Sequence, residues 1–191
     1  LRLYEPVATA QRALAEAAIM AEGSGGALSG SIRITASAVT AHYLLPPLLR
    51  DLRLSFPQIA IELVASDSAE NLLLREADIA VRMFRPTQME LIAKKLGTIP
   101  VICCAHQSYL ERRGTPQAPE ELRHHDLIGF DRSDLIIATA RRLGFVLERA
   151  DFIVRTDSQT AMWELLQAGL GIGFAQDGLV RDAPGMTAIL P

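Results

Sequence analysis

The segment from Ser31 to Ala65 constrains the fold of this chain more than any other, because it joins two short β patterns through one helical pattern. Ile32 and Ile34 alternate with polar residues, which predicts a strand. Leucines from Leu44 to Leu52 recur at helical spacing, and Ile59 to Leu63 begins a second alternating run. A strand, helix and strand of this length form the unit from which parallel sheets are built.

Prolines bound the helix of this unit. Pro46 and Pro47 are tolerated only in a first helical turn, so we expect the helix to begin near Leu45 and to end near Phe56, just before a further proline. Residues Ser37 to His42 would then form a polar turn after the first strand. Because ligands of parallel sheets bind outside the carboxyl ends of the strands, this turn is a candidate binding site.

The composition describes a folded protein with little affinity for nucleic acid. The 191 residues are 49% hydrophobic and 21% charged, and the net charge is -3 with a pI near 5.8. This balance offers no basic surface for a phosphate backbone, so we expect the chain not to hold DNA by itself. No apolar run reaches the roughly 18 residues of a membrane span and no signal peptide is evident. Both observations predict a cytoplasmic protein without membrane contact.

Residues 1–22 carry a heptad pattern without glycine. A single helix of this length measures roughly 33 Å, more than most small domains need for internal packing. We therefore predict a linker helix that mediates dimerisation, with a surface helix packed on its own domain as the alternative. Residues 23–30 are rich in glycine and serine, which predicts a flexible linker. The apolar seam consists of Leu3, Val7, Ala10, Leu14, Ala17 and Ala21.

Downstream of this segment, β and α patterns alternate along the chain, which predicts an α/β fold. Asp157 is expected to cap the last long helix and Gly169 to end it. A short helical turn is expected at 119–123, and the tail, 176–191, should hold a weak helix and the start of a strand. Strands are predicted at 78–83, 91–96, 99–105, 126–130, 151–156 and 170–175, and helices at 67–77, 107–113, 135–143 and 157–168.

No motif of the sequence predicts catalysis, a cofactor or a metal site. The glycines of 169–173 follow a helix and enter a strand, whereas a nucleotide-binding glycine loop follows a strand and opens a helix. His124 to Asp126 are adjacent, and adjacent side chains rarely converge on one metal ion. Cys103 and Cys104 would point to opposite faces of a strand, which predicts buried thiols that do not bridge each other.

Small polar residues follow several of the predicted strands. Each alone is a common helix cap. Together, at helix N-termini that carry partial positive charge, they predict a site for a small anion such as a carboxylate, with Arg82 as a counter-charge. These residues are Ser37 and Thr40 after the first strand, Ser66 after the second, Arg82 after the third, Cys104 after the fifth, and Thr156 with Asp157 before a helix.

A series of short motifs resembles the LysR-type transcriptional regulators, from their linker helix through most of their effector-binding domain. The resemblance is specific because the pieces occur in the family's order over nearly all of the chain. The family's winged helix-turn-helix would precede Leu1 and its last strand and helix would follow Pro191. The matching pieces are the opening helix, GSIRITAS at 30–37, LLPPLL at 44–49, FPQIAIEL at 56–63, EADIAVRM at 76–83, SYLERRGTP at 108–116, HDLIGF at 125–130 and AGLGIGF at 168–174.

The resemblance implies a periplasmic-binding-protein-like fold, in which two Rossmann-like α/β subdomains enclose an effector cleft behind the linker helix. Two crossover strands would join the subdomains near Leu96 to Pro100 and Phe174 to Gln176. The implied division is 1–22 for the linker helix, 23–30 for the flexible linker, 31–97 with 175–191 for a C-terminally incomplete subdomain I, and 98–174 for subdomain II.

The resemblance also implies a function, namely the sensing and oligomerisation region of a bacterial regulator that forms a homodimer or homotetramer. A small-molecule effector in the cleft, carboxylate or other small anion, would modulate DNA binding by the absent winged helix-turn-helix. Together with the pattern at the strand ends, this predicts effector contacts from Ser37, Thr40, Ser66, Arg82, Met83, Cys104, Phe130, Thr156 and Asp157.

Three alternatives stay open at this point. A solute-binding protein of the same fold would carry a signal peptide and lack the heptad helix. An enzyme on this fold would need a cluster of titratable groups in the cleft. A constitutive regulator could fill its cleft with its own side chains, for which Phe84, Phe130 and Phe174 are candidates.

Overall fold

The computed structural model describes residues 29–67, 77–83 and 93–190. The chain divides into two compact units, Leu1–Thr98 and Ile99–Pro191. The linker helix predicted at 1–22, most of the helix predicted at 67–77 and the loop that contains Phe84 lie outside the described residues.

The described part of the first unit is a parallel sheet with one helical crossover. Its strands are β1 (Gly30–Ala36), β2 (Ile59–Ala65) and β3 (Ile79–Val81), in the order β2-β1-β3. The central strand β1 pairs in parallel with both neighbours, so that Ile34 lies opposite Leu63 on one side and Ile79 on the other. The strand, helix and strand predicted from Ser31 to Ala65 are confirmed.

Helix α1 (Leu45–Ser55) ends where the sequence predicts, but the helical backbone begins earlier. Residues 38–39 are already helical and Thr40–Leu44 form a π-helical turn, so the expectation of a polar turn over 37–42 is wrong. A proline ring clashes with the carbonyl four residues earlier in an α-helix. The wider π turn, in which the Leu45 N–H donates to the Thr40 carbonyl, enlarges the helix just before the two prolines.

The core of the first unit lies between β1 and this helical run. Ile34 and Ala36 on the strand are buried against Ala41 and Leu45 on the helical side. The leucine spacing that predicted the helix is the spacing that turns one of its faces toward β1. The helix N-terminus is thereby fixed beside the carboxyl end of the central strand.

The second unit is a five-stranded mixed sheet flanked by helices. Its strands are β4 (Val101–His106), β5 (Leu127–Gly129), β6 (Phe152–Arg155), β7 (Ile172–Gln176) and β8 (Met186–Ala188), and they lie in the order β6-β5-β7-β4-β8. β5 pairs in parallel with β6 and β7, whereas β4 pairs antiparallel with β7 and β8. The helices are α2 (Gln107–Arg113), α3 (Leu135–Arg142), α4 (Gln159–Gln167) and α5 (Asp177–Asp182), with short 3-10 turns at Pro119–His124 and Arg149–Asp151.

A close approach of two backbone segments shapes the centre of this sheet. A Cβ atom on Gly171 would lie 2.1 Å from the Asp126 carbonyl oxygen. The same carbonyl accepts the Ile172 N–H at 2.8 Å. Glycine therefore lets β7 meet the chain that enters β5, and Ile172 and Leu127 pair there in a fully buried core.

The tail belongs to the second unit, which corrects the predicted domain division. We predicted 175–191 in subdomain I, with a crossing at Phe174 to Gln176. In the structure β7 extends through Gln176, α5 follows, and β8 pairs with β4. The physical reason is that β8 satisfies backbone groups along an edge of β4 that would otherwise be unpaired.

A second correction concerns the strand predicted at 91–96. Over 93–100 the backbone has no regular secondary structure, and the exposed Lys94 and Lys95 interrupt the apolar pattern. The division between the units falls within this segment, after Thr98.

Candidate functional site

Polar residues of the first unit gather where its three parallel strands end. Because β1, β2 and β3 are parallel, their carboxyl ends lie at one edge of the sheet. The Ser66 N–H donates to the Ala36 carbonyl at 2.8 Å, which ties the end of β2 to the end of β1. We call this group of residues the polar edge: Ser37, Thr40, Ser66, Asp67, Arg82 and Met83.

Ser37 and Thr40 lie at the start of the helical run and bond to each other. Their hydroxyl oxygens are 2.7 Å apart, and the two residues are only 9% and 3% exposed. The Ala41 N–H donates to the Ser37 carbonyl at 2.8 Å, which closes the first turn. Both residues therefore stabilise the helix start, the role that single polar residues after strands most often have.

Asp67 is a residue of this edge that the sequence pattern did not identify as a contact. The Ala38 N–H donates to its Oδ1 at 2.9 Å, so the carboxylate caps the helical run that begins after β1. Because Glu70 lies three residues after Asp67, the sequence pattern predicts Ser66 or Asp67 as the cap of the helix at 67–77, most of which lies outside the described residues. The signal for the bond to Ala38 is topological, because Asp67 follows a strand that pairs with β1.

The Arg82 side chain, at the end of β3, extends toward β1. Its Nη2 donates to the Thr35 hydroxyl at 3.0 Å, and its Nε is buried without a hydrogen-bond partner within the described residues. Burial lowers the pKa of the guanidinium from its ordinary value, and the nearby Asp67 carboxylate opposes that shift. Met83, the next residue, is 43% exposed and offers an apolar surface at the same edge.

In the second unit, Phe130 and Thr156 follow the parallel strands β5 and β6. Phe130 is half-buried and packs against the core. The Thr156 N–H donates to the Gly129 carbonyl at 2.9 Å, and the Thr156 hydroxyl accepts the Ser158 N–H at 3.1 Å. The predicted positions of these two residues at strand ends are confirmed.

Asp157 does not cap α4, which corrects the sequence prediction. The Ser158 hydroxyl accepts the Ala161 N–H at 3.2 Å and is the cap. The Asp157 carboxylate instead accepts the Arg132 N–H at 3.1 Å and pairs with the Arg132 guanidinium at 3.0 Å. These bonds from Arg132 lower the pKa of Asp157. The Asp157 carboxylate is the stronger acceptor, and it binds the N–H donors of the loop after β5. The hydroxyl of the neighbouring Ser158 therefore caps α4.

Cys104 lies inside β4 and is fully buried, so its predicted position at the end of a strand is wrong. The strand continues to His106 because β7 and β8 pair with it on both sides. Burial raises the pKa of each of the two adjacent thiols to about 12. The prediction of buried, unbridged thiols is confirmed.

The remaining predictions concern metals and the dimerisation seam. Over residues 29–67, 77–83 and 93–190, no three His, Cys, Asp or Glu side chains lie close enough to hold a metal ion. The seam residues from Leu3 to Ala21 lie outside the described part of the chain.

Comparison with known families decides the family of this chain. The model described as LysR substrate binding domain matches residues 25–190. The chain belongs to the LysR substrate-binding domain family. This LysR domain is 26% identical over 149 residues to the HTH-type transcriptional activator AaeR of Escherichia coli (strain K12), which covers 76% of this chain and 48% of AaeR. It is 34% identical over 101 residues to the HTH-type transcriptional regulator CrgA of Neisseria meningitidis serogroup C (strain 8013), which covers 53% of this chain and 34% of CrgA.

Solved structures confirm the predicted fold class, the periplasmic-binding-protein-like α/β fold. The regulatory domain of CrgA, a LysR-type transcriptional regulator from Neisseria meningitidis, aligns with a TM-score of 0.74 at 27% identity over 85% of this chain and 81% of that chain. The effector domain of the transcriptional regulator AmpR of Pseudomonas aeruginosa aligns with a TM-score of 0.68 over 85% of this chain and 79% of that chain, and at 18% identity it supports the fold alone.

The LysR domain described here spans about half the length of AaeR. The curated relatives are named as transcriptional regulators, which favours a regulator over a solute-binding protein. Among the helices within the described residues, none is long and apolar enough to cross a membrane.

Proposed function

We propose that this LysR domain is the effector-sensing region of a bacterial transcriptional regulator. A small molecule bound at the polar edge would alter DNA binding by a winged helix-turn-helix elsewhere in the regulator. The observation that carries this proposal is the family match over residues 25–190, because the relatives are named as regulators and the aligned structures as regulatory or effector domains.

The geometry of the polar edge supports a binding role. Three parallel strands end there beside the start of a helical run, which is where open α/β sheets bind ligands. Met83 adds an exposed apolar side chain to the buried polar groups, as small-molecule sites require. Binding becomes regulatory if the ligand has different affinities for two conformations of the regulator.

Contacts from the second unit and the oligomeric state belong to the same proposal. Thr156 is the hydrogen-bonding residue that we assign to the effector from that unit. Asp157, the next residue, and Phe130, which follows the Gly129 carbonyl that accepts the Thr156 N–H, belong to the same assignment. The regulator would form a homodimer through the helix predicted at 1–22, or a homotetramer, and act in the cytoplasm where it meets DNA. Because the chain carries a net negative charge, we assign DNA contact to the winged helix-turn-helix.

A thermal-shift screen of small metabolites against the 191-residue chain tests the binding half of the proposal. A compound that raises the melting temperature of the wild type should give no shift with Ser37→Ala, because Thr40 loses its partner and the start of the helical run at the polar edge is no longer held in place. Ser31→Ala is the matched control, since Ser31 is an exposed serine at the other end of β1. Equal shifts in both variants would show that the compound binds elsewhere.

Two further experiments test the contribution of Thr156 and the regulatory half. Thr156→Ala should also remove the ligand-induced shift while leaving the fold intact. In a chimaera in which a LysR-type DNA-binding segment precedes residue 1, the same compound should change the affinity for operator DNA. A compound that binds the chimaera without any change in DNA affinity would refute the regulatory role.

A further inference from the structure

The carboxylate of Asp67 occupies the position where a helix N-terminus would otherwise receive an anion. Ala38 is the first residue of the helical run, and its N–H donates to Asp67 Oδ1 at 2.9 Å. N–H groups of a first helical turn have no partner within the helix and favour negative charge. At the polar edge the Asp67 carboxylate of the chain itself supplies this negative charge.

The only other charged side chain of the polar edge as defined, Arg82, is partly buried and already bonded within the protein. The Arg82 guanidinium donates to the Thr35 hydroxyl at 3.0 Å and lies close enough to Asp67 for their charges to attract. Its Nε is hidden from solvent and has no hydrogen-bond partner in the described part of the chain. The Arg82 side chain is therefore held by contacts within the protein, and the Asp67 carboxylate partly compensates its positive charge.

Two hydroxyl groups of the edge are engaged in the same way. Ser37 and Thr40 bond to each other and are almost fully buried. Asp67, by contrast, is exposed, so its carboxylate can accept further hydrogen bonds. Among Ser37, Thr40, Asp67 and Arg82, the accessible group with spare capacity is thus a carboxylate, which accepts hydrogen bonds but donates none, so a second anion placed beside it would find no donor there and would meet a like charge.

We propose that Asp67 is a specificity-determining residue that excludes anionic effectors from the polar edge. The effector presents an uncharged head group here, of the amide or hydroxyl class, whose N–H or O–H donates to Asp67. This inference rests on the proposed function, and it replaces the small carboxylate that the sequence predicted with a neutral hydrogen-bond donor.

An amide-resolved NMR titration of the 191-residue chain tests the inference without the natural effector. Sodium acetate is added up to about 100 mM at constant ionic strength, and the Ala38 amide signal is followed. In the wild type we expect no saturable displacement of that signal. In Asp67→Ala the Ala38 N–H has lost its carboxylate partner, and we expect this variant to bind acetate at least about tenfold more tightly than the wild type does. Acetamide, the uncharged counterpart of acetate, should not gain from the substitution.

Asp78→Ala is the matched control, because Asp78 also accepts a backbone N–H, that of Arg33 at 2.8 Å, but precedes β3. It removes one carboxylate without opening the Ala38 N–H, so it should create no acetate response there. Saturable acetate binding to the wild type would overturn the inference, and so would equal responses of the Asp67 and Asp78 variants. If Asp67→Ala loses its dispersed spectrum, Asp67→Asn decides: a response absent from the wild type supports the inference, and identical traces overturn it.

Failure of this inference is distinguishable from failure of the proposed function. The acetate titration reads the Ala38 amide alone, whereas the proposed function fails if no metabolite shift depends on Ser37. A metabolite that binds the wild type through a carboxylate at the polar edge would leave the proposed function standing and refute the role of Asp67.

Discussion

Replacing Gly171 with alanine tests how closely β7 packs against the chain that enters β5. The added Cβ would lie 2.1 Å from the Asp126 carbonyl oxygen, about 1 Å inside the closest approach that such atoms tolerate. The obstacle is backbone rather than a flexible side chain, so the strand must shift. That shift lengthens the hydrogen bond from the Ile172 N–H to the same carbonyl, now 2.8 Å.

The cost follows from these two effects. Overpacking of a buried position costs about 1–3 kcal/mol, and a weakened buried hydrogen bond adds about 1 kcal/mol. Alanine also restricts the unfolded chain, which returns about 0.4–1 kcal/mol. We expect Gly171→Ala to lower the free energy of unfolding by about 1–3.6 kcal/mol.

Gly173→Ala is the matched control on the same strand. Its Cβ would meet the side chain of Leu166 at 3.0 Å and the Ile128 carbonyl at 3.3 Å, and the leucine can move. The effect on the unfolded chain is the same, so it cancels in the comparison. We expect a loss below about 1 kcal/mol.

Urea unfolding followed by tryptophan fluorescence measures both variants. Trp163 is the only tryptophan of the chain, and it is buried on α4, so its fluorescence reports the second unit. The midpoint should fall much further for Gly171→Ala than for Gly173→Ala at unchanged slope. Equal midpoints would refute the claim that β7 approaches the Asp126 carbonyl too closely for a side chain.

Three further predictions concern the second unit. Ser158→Ala should lower the free energy of unfolding by about 1 kcal/mol in the same assay, because α4 loses its cap; an unchanged midpoint would contradict this. Cys103 and Cys104, with pKa values raised to about 12, should resist a thiol reagent at pH 8 until urea unfolds the chain, and prompt labelling of the folded chain would contradict their burial. Burial, with Arg113 nearby, lowers the pKa of His125 below its ordinary 6.5, so below pH 6.5 the unfolded chain binds more protons and stability falls. His125→Gln should flatten that dependence, and an identical pH profile would contradict it.

Local patterns predicted most elements because they are set by local physical chemistry. The helix at 107–113 is found at its predicted bounds, since a strand precedes it and Gly114 follows it. The end of α1 is predicted to one residue by Pro57. The strand ends that carry Ser37, Ser66 and Arg82 follow from the same patterns.

The errors arise where a choice depended on residues distant in sequence. Ser158 and Asp157 are both good caps, and only the position of Arg132 after β5 decides between them. The bond from the Ala38 N–H to Asp67 was missed, because predicting it requires knowing that β2 lies beside β1. The π turn was missed because prolines normally mark a helix start.

The tail illustrates the same limit at the level of domains. β8 is three residues long, too short for a periodic pattern to indicate its partner. Its pairing with β4, more than eighty positions earlier, is a property of the folded sheet. The family resemblance predicted the fold class correctly and the position of the second crossing incorrectly.

The pairing of β4 with β8 also has an architectural consequence. β4 lies at the beginning of the second unit, and the Ile189 N–H, just past β8, donates to the Cys103 carbonyl at 3.0 Å. The first and last parts of this unit therefore run side by side in opposite directions. Loss of β8 pairing would therefore free backbone groups of β4 at the same time. Hydrogen exchange of the Ile189 N–H thus reports whether this edge of β4 is open, although the two bonded residues are more than eighty positions apart.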